Sequence, residues 1–389
     1  METTTQQLLC KNVKALPPSF IKGMLKATQD PKIISFSGGL PSPLSFPMEA
    51  LGESMAHAVE RYGTKLFQYS LPELREFIAA RCNEKYGLGV TAADILITTG
   101  SQQALDLIAK VTLDPGDGVI VEEPGYLGAL QTFLQYAPTF HPVALSEDGL
   151  DVEGLASALA APQVKFIYTV PNFQNPTGLT YSVQNREAVY HVIRDKNVIL
   201  IEDDPYGELR FDGKTLPYIA AGRFDSCILL GSFSKTATPG MRVGYLVCKN
   251  AELLETIAAA KESSDVHTSV LSQYVLYDYL THNDYDGHIA EIRALYESQC
   301  KTMLDAMAEC FPASVSYTRP DGGMFIWCTL PEGKTALDFF YEAVECKVAV
   351  APGDPFYTAP RAVRTFRLNY TNASKEEIRE GIHRLGTLL

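Results

Sequence analysis

The chain has 389 residues, 46% hydrophobic and 20% charged, enough to bury a full core in two or three domains and unlike a disordered or disulfide-stapled chain. Its 33 basic and 46 acidic residues leave a formal charge of −13, which repels phosphate backbones and anionic membranes, so nucleic acid is excluded as an expected partner. Any anionic ligand must be held by a local arrangement of donors and cations.

In chain order, the first 44 residues are broken by Pro17, Pro18, Pro31 and Pro41, too short to fold alone, and read as an arm lying across the other domains. The opening METTTQQLLCKNVK lacks the basic flank and apolar core of a secretory signal, and no apolar run is long enough to span a bilayer. A cytoplasmic location without a membrane partner is expected. Between about residues 94 and 248, β-rich runs alternate with helical patterns. The expected strands are Ile95 to Thr99, Val119 to Glu122, Phe140 to Leu145, Lys165 to Val170, Val198 to Glu202, Cys227 to Gly231 and Val243 to Cys248. Amphipathic stretches at Ser101 to Lys110, Gly125 to Tyr136 and Ser182 to Lys196 lie between them. This alternation predicts an α/β fold with a mostly parallel wound sheet of about seven strands, in a large domain over residues 45–285.

From Gly287 to Phe311 the apolar residues follow helical spacing, long enough to run between two domains. GGMFIWCTL, VAVAPG, VRTFRLNY and a closing helix then predict a smaller α+β domain over residues 286–389, joined by the arm. The eight cysteines include no C-x-x-C pair and read as reduced, mostly buried thiols.

Three segments at strand ends carry chemistry. In ILITTGSQQALDLIAK a strand meets Gly100 and a helix begins at once, so the amides of Gly100, Ser101 and Gln102 sit at a positive dipole end suited to phosphate; the alternative is a plain turn with Ser101 as its cap. In VILIEDDPYGELR the carboxylate of Asp203 ends a strand, and Tyr206 is close enough to share one small heterocycle with it. A solvated acidic turn competes, as does a metal pair with Asp204, although no histidine has ligand spacing here and no metal is expected. In ILLGSFSKTATPGMRVGY two hydroxyls (Ser232, Ser234) and Arg242 suit a phosphate dianion, and Lys235, partly desolvated, suits a nucleophile toward an aldehyde; a solvated basic loop is the alternative. Together with the PNFQNPTG turn carrying Asn175, these are the groups that pyridoxal phosphate requires.

In these motifs the chain resembles the fold-type I pyridoxal-phosphate enzymes, and within them the class I/II aminotransferases of the 2-aminoadipate and kynurenine branch. SGGLP, QYS, GSQQALDL, EEPGY, PNFQNPTG, EDDPYGELR, GSFSKT-x4-GMRVGY, DGGMF and FRLNY carry the likeness from about Ser19 to Leu368. The resemblance implies a ping-pong transfer of an α-amino group from an amino acid to a 2-oxo acid. Lys235 is the implied covalent anchor and proton carrier, and Asp203 the partner of the ring nitrogen. Asn175 and Tyr206 hold the ring's phenolic oxygen, and Tyr126 lies on the ring face. The phosphate falls to Ser101, Gln102, Ser232, Ser234 and Arg242. Tyr69 reaches the neighbouring subunit's site, which implies a homodimer with shared active sites. Arg367 grips the substrate's α-carboxylate, Gly39 offers close backbone approach over the substrate, and cis peptides precede Pro124 and Pro176. Arg361 and Arg364 read as surface charge.

One departure bears on substrate. Family members that favour acidic side chains place an arginine in the arm, where this chain has Ser19, Phe20, Ile21 and Lys22; lysine keeps the charge and loses the bidentate fork. Broad specificity is expected, over aromatic, large apolar and 2-aminoadipate or glutamate-type substrates, with 2-oxoglutarate or pyruvate as acceptor. The core motifs also suit a carbon–sulfur lyase or an acyl-condensing synthase. A non-catalytic ligand-sensing domain is a third reading, disfavoured because the likeness begins by about Ser19 and leaves little room for a DNA-binding segment.

Overall fold

The computed structural model describes Cys10, Asp30 and residues 32–389. Ser19 and Lys22 therefore lie outside the described residues. Strand β1 (Ile34–Ser35) leads to helices α1 (Met48–Tyr62) and α2 (Leu74–Tyr86), and β2 (Ile95–Thr98) runs directly into α3 (Ser101–Thr112). Helix α3 forms because Ala and Leu favour helix and fall on one side: Ala104, Leu105, Leu107, Ile108 and Ala109 are buried. The alternation continues through β3 (Gly118–Glu123), α4 (Leu127–Leu134), β4 (Thr139–Ser146), β5 (Gly149–Leu150), α5 (Val152–Ala158), β6 (Val164–Thr169), α6 (Val183–Ile193) and β7 (Ile199–Asp203). It closes with β8 (Cys227–Ser232), β9 (Gly244–Cys248), α7 (Ala251–Asp265) and α8 (Val270–His282).

All seven expected strands are present, and the two-residue β5 extends the sheet to eight, in the order β2-β9-β8-β7-β6-β3-β4-β5. Pairing is parallel from β4 through β3, β6 and β7 to β8, and antiparallel on both sides of β9. The carboxyl ends of β2, β3, β6, β7 and β8 therefore lie along one edge, and because β9 runs the other way, its start, just after Arg242, meets the same edge. Ligands bind at such an edge in open α/β sheets.

The long helix α9 (Tyr285–Cys310) matches the helix expected over 287–311. After it come β10 (Ser316–Tyr317), β11 (Phe325–Thr329), α10 (Ala336–Glu345), β12 (Val348–Ala349), β13 (Ala351–Pro352), β14 (Thr365–Asn369) and α11 (Lys375–Gly386). Four of these strands form an antiparallel sheet in the order β10-β11-β14-β13. β1 pairs in parallel with β12, and the amide of Asn369 bonds the carbonyl of Phe36, so residues 34–36 are sewn into the C-terminal part. Five of the cysteines (Cys82, Cys227, Cys248, Cys300 and Cys328) are buried, and all eight are free thiols.

Candidate active site

At the end of β2, Gly100 has φ 75°, and a Cβ there would stand 2.6 Å from Nη2 of Arg242. Only glycine accommodates both the backbone and the guanidinium. This removes the alternative of Ser101 as the cap and corrects one expectation. Gly100, not Ser101, is the residue that caps α3, so Ser101 lies inside the first turn with its hydroxyl buried and unpartnered. The Gly100 amide is not free either, since it closes a bond of 2.8 Å to the carbonyl of Thr98. The amides of Ser101 and Gln102 stay without a partner among the described residues, at the positive end of the helix. The Gln102 side chain turns away to the Gly128 carbonyl at 3.0 Å.

Arg242 lies beside this turn with φ 54°, its Nη2 donating to the Thr99 carbonyl at 3.3 Å and its Nη1 to the Ser234 hydroxyl at 3.5 Å. Ser232 accepts the Ser234 amide at 3.2 Å. Two hydroxyls, a guanidinium and two open amides thus converge at one place. Lys235 follows on the same loop, and its Nζ donates to the Gly39 carbonyl at 2.8 Å. Burial, with Arg367 and Arg242 nearby, brings this amine down to about 8. Gly39 acts there through its carbonyl, and a Cβ on it would stand 3.4 Å from the Phe325 ring.

Asp203 ends β7, deeply buried. Its Oδ2 accepts the Tyr168 hydroxyl at 2.8 Å, while Oδ1 has no partner. Burial pushes its carboxyl up to about 7, against the pull of the Tyr168 hydroxyl and, more weakly, of the Ser101 hydroxyl, which lies near enough to lower it though not in hydrogen-bonding geometry. Asp204 faces elsewhere, holding the Gly207 amide and the Tyr218 hydroxyl, and no group of three or more ligand residues among the described residues could hold a metal. Tyr206 is buried edge-on to Phe325. Tyr126, pushed up to about 12 by burial, feels the charges of Asp203, Arg367 and Arg242.

Arg367, on β14, is buried with Nη1 2.6 Å from Asn175 Oδ1, Nη2 2.7 Å from the Ser37 carbonyl, and Nε unpartnered. Its guanidinium carbon lies 4.3 Å from the Phe325 ring centroid and 5.2 Å from that of Phe356. Arg364 and Arg361 are exposed as expected, Arg361 pairing with Glu123 at 3.2 Å. The peptides before Pro124 and Pro176 are cis, as the resemblance implied. Tyr69 is 80% exposed, edge-on to His267. Sequence reasoning gave no role to Tyr168 and Phe356, which carry no motif, to Phe325 at the end of DGGMF, or to the buried Glu122 of EEPGY, pushed up to about 7 and holding the Val170 amide, Tyr181 and Gln174 beside the Asn175 turn.

This donor set fits pyridoxal phosphate: an unpartnered buried carboxylate oxygen for a ring nitrogen, a depressed amine for an aldehyde, and a cationic, amide-rich turn for a phosphate. The family model for aminotransferase class I and II matches residues 33–385. The chain belongs to this family. It is 38% identical to the 2-aminoadipate transaminase of Thermus thermophilus over 97% of this chain and 96% of that protein. It is 37% identical to an aromatic-amino-acid aminotransferase of Thermococcus litoralis over 94% and 90%. The Pyrococcus horikoshii kynurenine aminotransferase, solved in complex with PMP, superposes with a TM-score of 0.93 at 37% identity, covering 98% of this chain and 97% of that one. The aminotransferase described here is thus a transaminase that uses pyridoxal phosphate, and its fold is that of the fold-type I enzymes.

Proposed function

We propose that this aminotransferase works through Lys235, Asp203 and Arg367 at the shared edge of the large sheet, on a broad range of amino acids. The observation that carries the reading is the placement of the Lys235 amine, held by the Gly39 carbonyl just after β8, beside the adjacent strand β7 that ends in the buried carboxylate of Asp203. Bound there, pyridoxal phosphate supplies an aldehyde for the substrate amine and a ring that takes up electrons from the α carbon. Lys235 would hold the group covalently through Nζ, and the same amine, when not so engaged, would take up and give back the substrate's α proton as base and acid.

Asp203 would pair with the ring nitrogen and keep it protonated, Asn175 and Tyr206 would hold the ring's phenolic oxygen, Tyr126 would lie against the ring, and Ser101, Gln102, Ser232, Ser234 and Arg242 would hold the phosphate. Arg367 binds the substrate α-carboxylate and so fixes the direction of the α proton. Phe325, Phe356 and the half-exposed Leu40 give this end an apolar character, which supports aromatic and large apolar substrates beside acidic ones. Gly39 closes the site from the arm, and Ser19 and Lys22 are assigned to side-chain recognition on sequence alone.

The enzyme is read as a cytoplasmic homodimer with the arm over residues 1–44, a large domain over 45–285 and a small domain over 286–389. Leu44, Met48, Met55, Phe67, Tyr69 and Leu71 are exposed within one short stretch of chain, which supports association there, with Tyr69 reaching the second subunit's phosphate. No helix among the described residues is long and apolar enough to cross a membrane.

The test is the half-reaction. Amino acids are added singly to the holoenzyme without acceptor, and the visible band of the lysine-bound cofactor is followed. Its conversion to the pyridoxamine form ranks the donors. A band that no amino acid converts, or that survives Lys235→Ala unchanged, overturns the reading.

A further inference from the structure

Behind the Ser101 turn an ammonium is buried where no step of the chemistry uses it. Lys261, in the last turns of α7, is only 3% exposed, and all three of its protons are spoken for: Asp265 Oδ1 at 2.7 Å, Asp265 Oδ2 at 2.9 Å and Gln103 Oε1 at 3.0 Å. Gln103 also donates through Nε2 to Asp265 Oδ2 at 2.6 Å, which fixes which end of its amide faces which neighbour. Its oxygen is thereby presented to the backbone amide of Thr99, at 2.8 Å. Thr99 is the residue before Gly100, and it is gripped on two further sides, its carbonyl by Arg242 and its hydroxyl by Thr268 at 3.1 Å.

An i,i+4 lysine–aspartate pair on a helix is common, but this one has two unusual features. The lysine end of the pair is buried while its aspartate stays at the surface, and Asp265 stands at the carboxyl end of its helix, where the macrodipole disfavours an acid. Both are accounted for if the pair serves the third member. Lys261 and Asp265 neutralise one another, so what they deliver to the turn is a fixed amide orientation and no net charge.

We propose that Lys261 is a positioning residue for the cofactor's phosphate, acting through Gln103 on the Thr99 amide to hold the Ser101 and Gln102 amides in register with Arg242. The inference rests on the phosphate placement proposed above. It separates the phosphate from the rest of the cofactor, since the ring and the aldehyde are held by Asp203, Asn175, Tyr206 and Lys235.

The experiment titrates cofactor-free enzyme with pyridoxal phosphate and, in parallel, with pyridoxal, which lacks the phosphate. Lys261→Met and Gln103→Leu are compared with the wild type and with Arg242→Ala. Each of the first two should weaken pyridoxal phosphate roughly tenfold, as expected for one lost buried bond, and leave pyridoxal within about twofold. Lys261→Met placed on Gln103→Leu should add nothing, because the effect runs through that side chain. Gln103→Leu leaves the ion pair intact and serves if Lys261→Met fails to fold. Equal weakening of both ligands, or of neither, overturns the inference while Arg242→Ala still abolishes the preference for the phosphorylated ligand. If Arg242→Ala keeps that preference, the phosphate placement itself falls, and this inference with it.

Discussion

Arg367 Nη1 and Asn175 Oδ1 are 2.6 Å apart, so a guanidinium from the four-stranded sheet and an amide that follows β6 of the large sheet form one unit. Each is placed by the other. Arg367→Lys keeps a charge but loses the fork and leaves the Asn175 oxygen short of a donor. The expected result is a rise in KM for amino acid of about 10–100-fold with cofactor affinity retained, read from steady-state kinetics beside a cofactor titration.

Lys235 gives a pH prediction with a definite sign. Only the neutral amine attacks an aldehyde, and burial brings this one down to about 8 from the usual lysine range. In cofactor-free enzyme, the second-order rate of pyridoxal phosphate capture should rise with pH through about 8 and level off above it. Stopped-flow absorbance measures this. A rate still climbing tenfold per unit at pH 9.5 would show an ordinary lysine. Lys235→Ala should lose transamination by at least about 10²–10⁴-fold.

Asp203 has the opposite linkage. Its folded carboxyl stands at about 7, above its unfolded value, so the folded chain binds the extra proton between about pH 4 and 7. Stability of the cofactor-free protein should therefore fall as pH rises through that window, by up to a few kcal/mol from this group. Asp203→Asn should flatten that fall and at the same time lower kcat by about 10²–10⁴-fold. Melting temperatures at pH 5 and 7.5, wild type against variant, separate its share from that of Glu122, which shifts in the same direction.

Tyr168 donates the one hydrogen bond that Asp203 receives at Oδ2. Tyr168→Phe removes a contact that favours the carboxylate, so the carboxyl should rise further and kcat should fall about tenfold at neutral pH. The loss should be smaller at pH 8.5, where even a raised carboxyl is ionised. A pH-independent loss would mean that the hydroxyl only packs.

The sheet and the chemical side chains were readable in the sequence because both leave local marks. β-rich runs between helical patterns located seven strands, and Lys235, Asp203, Asn175 and Arg242 stand at strand ends. β5 was not readable, since two residues have no periodicity. The capping residue was not readable, because serine is the commoner cap by type, whereas Gly100 with its positive φ takes that place. Tyr168 and Phe356 are ordinary core residues by type, Phe325 lies in DGGMF but bears no reactive group to single it out, and Lys261 is remote in sequence from the turn it supports. Only three-dimensional proximity identifies them.

Ser37 and Gly39 hold Arg367 and Lys235 through main-chain carbonyls, not through side chains. Every residue has a carbonyl, so the identity of the side chains in this strip is not fixed by these two grips. Mutational drift in the strip can alter what the pocket admits while the reacting groups stay supported. In a laboratory selection, new substrate preferences should accumulate at positions near residues 37–40 sooner than around Asp203, where almost any change removes the chemistry.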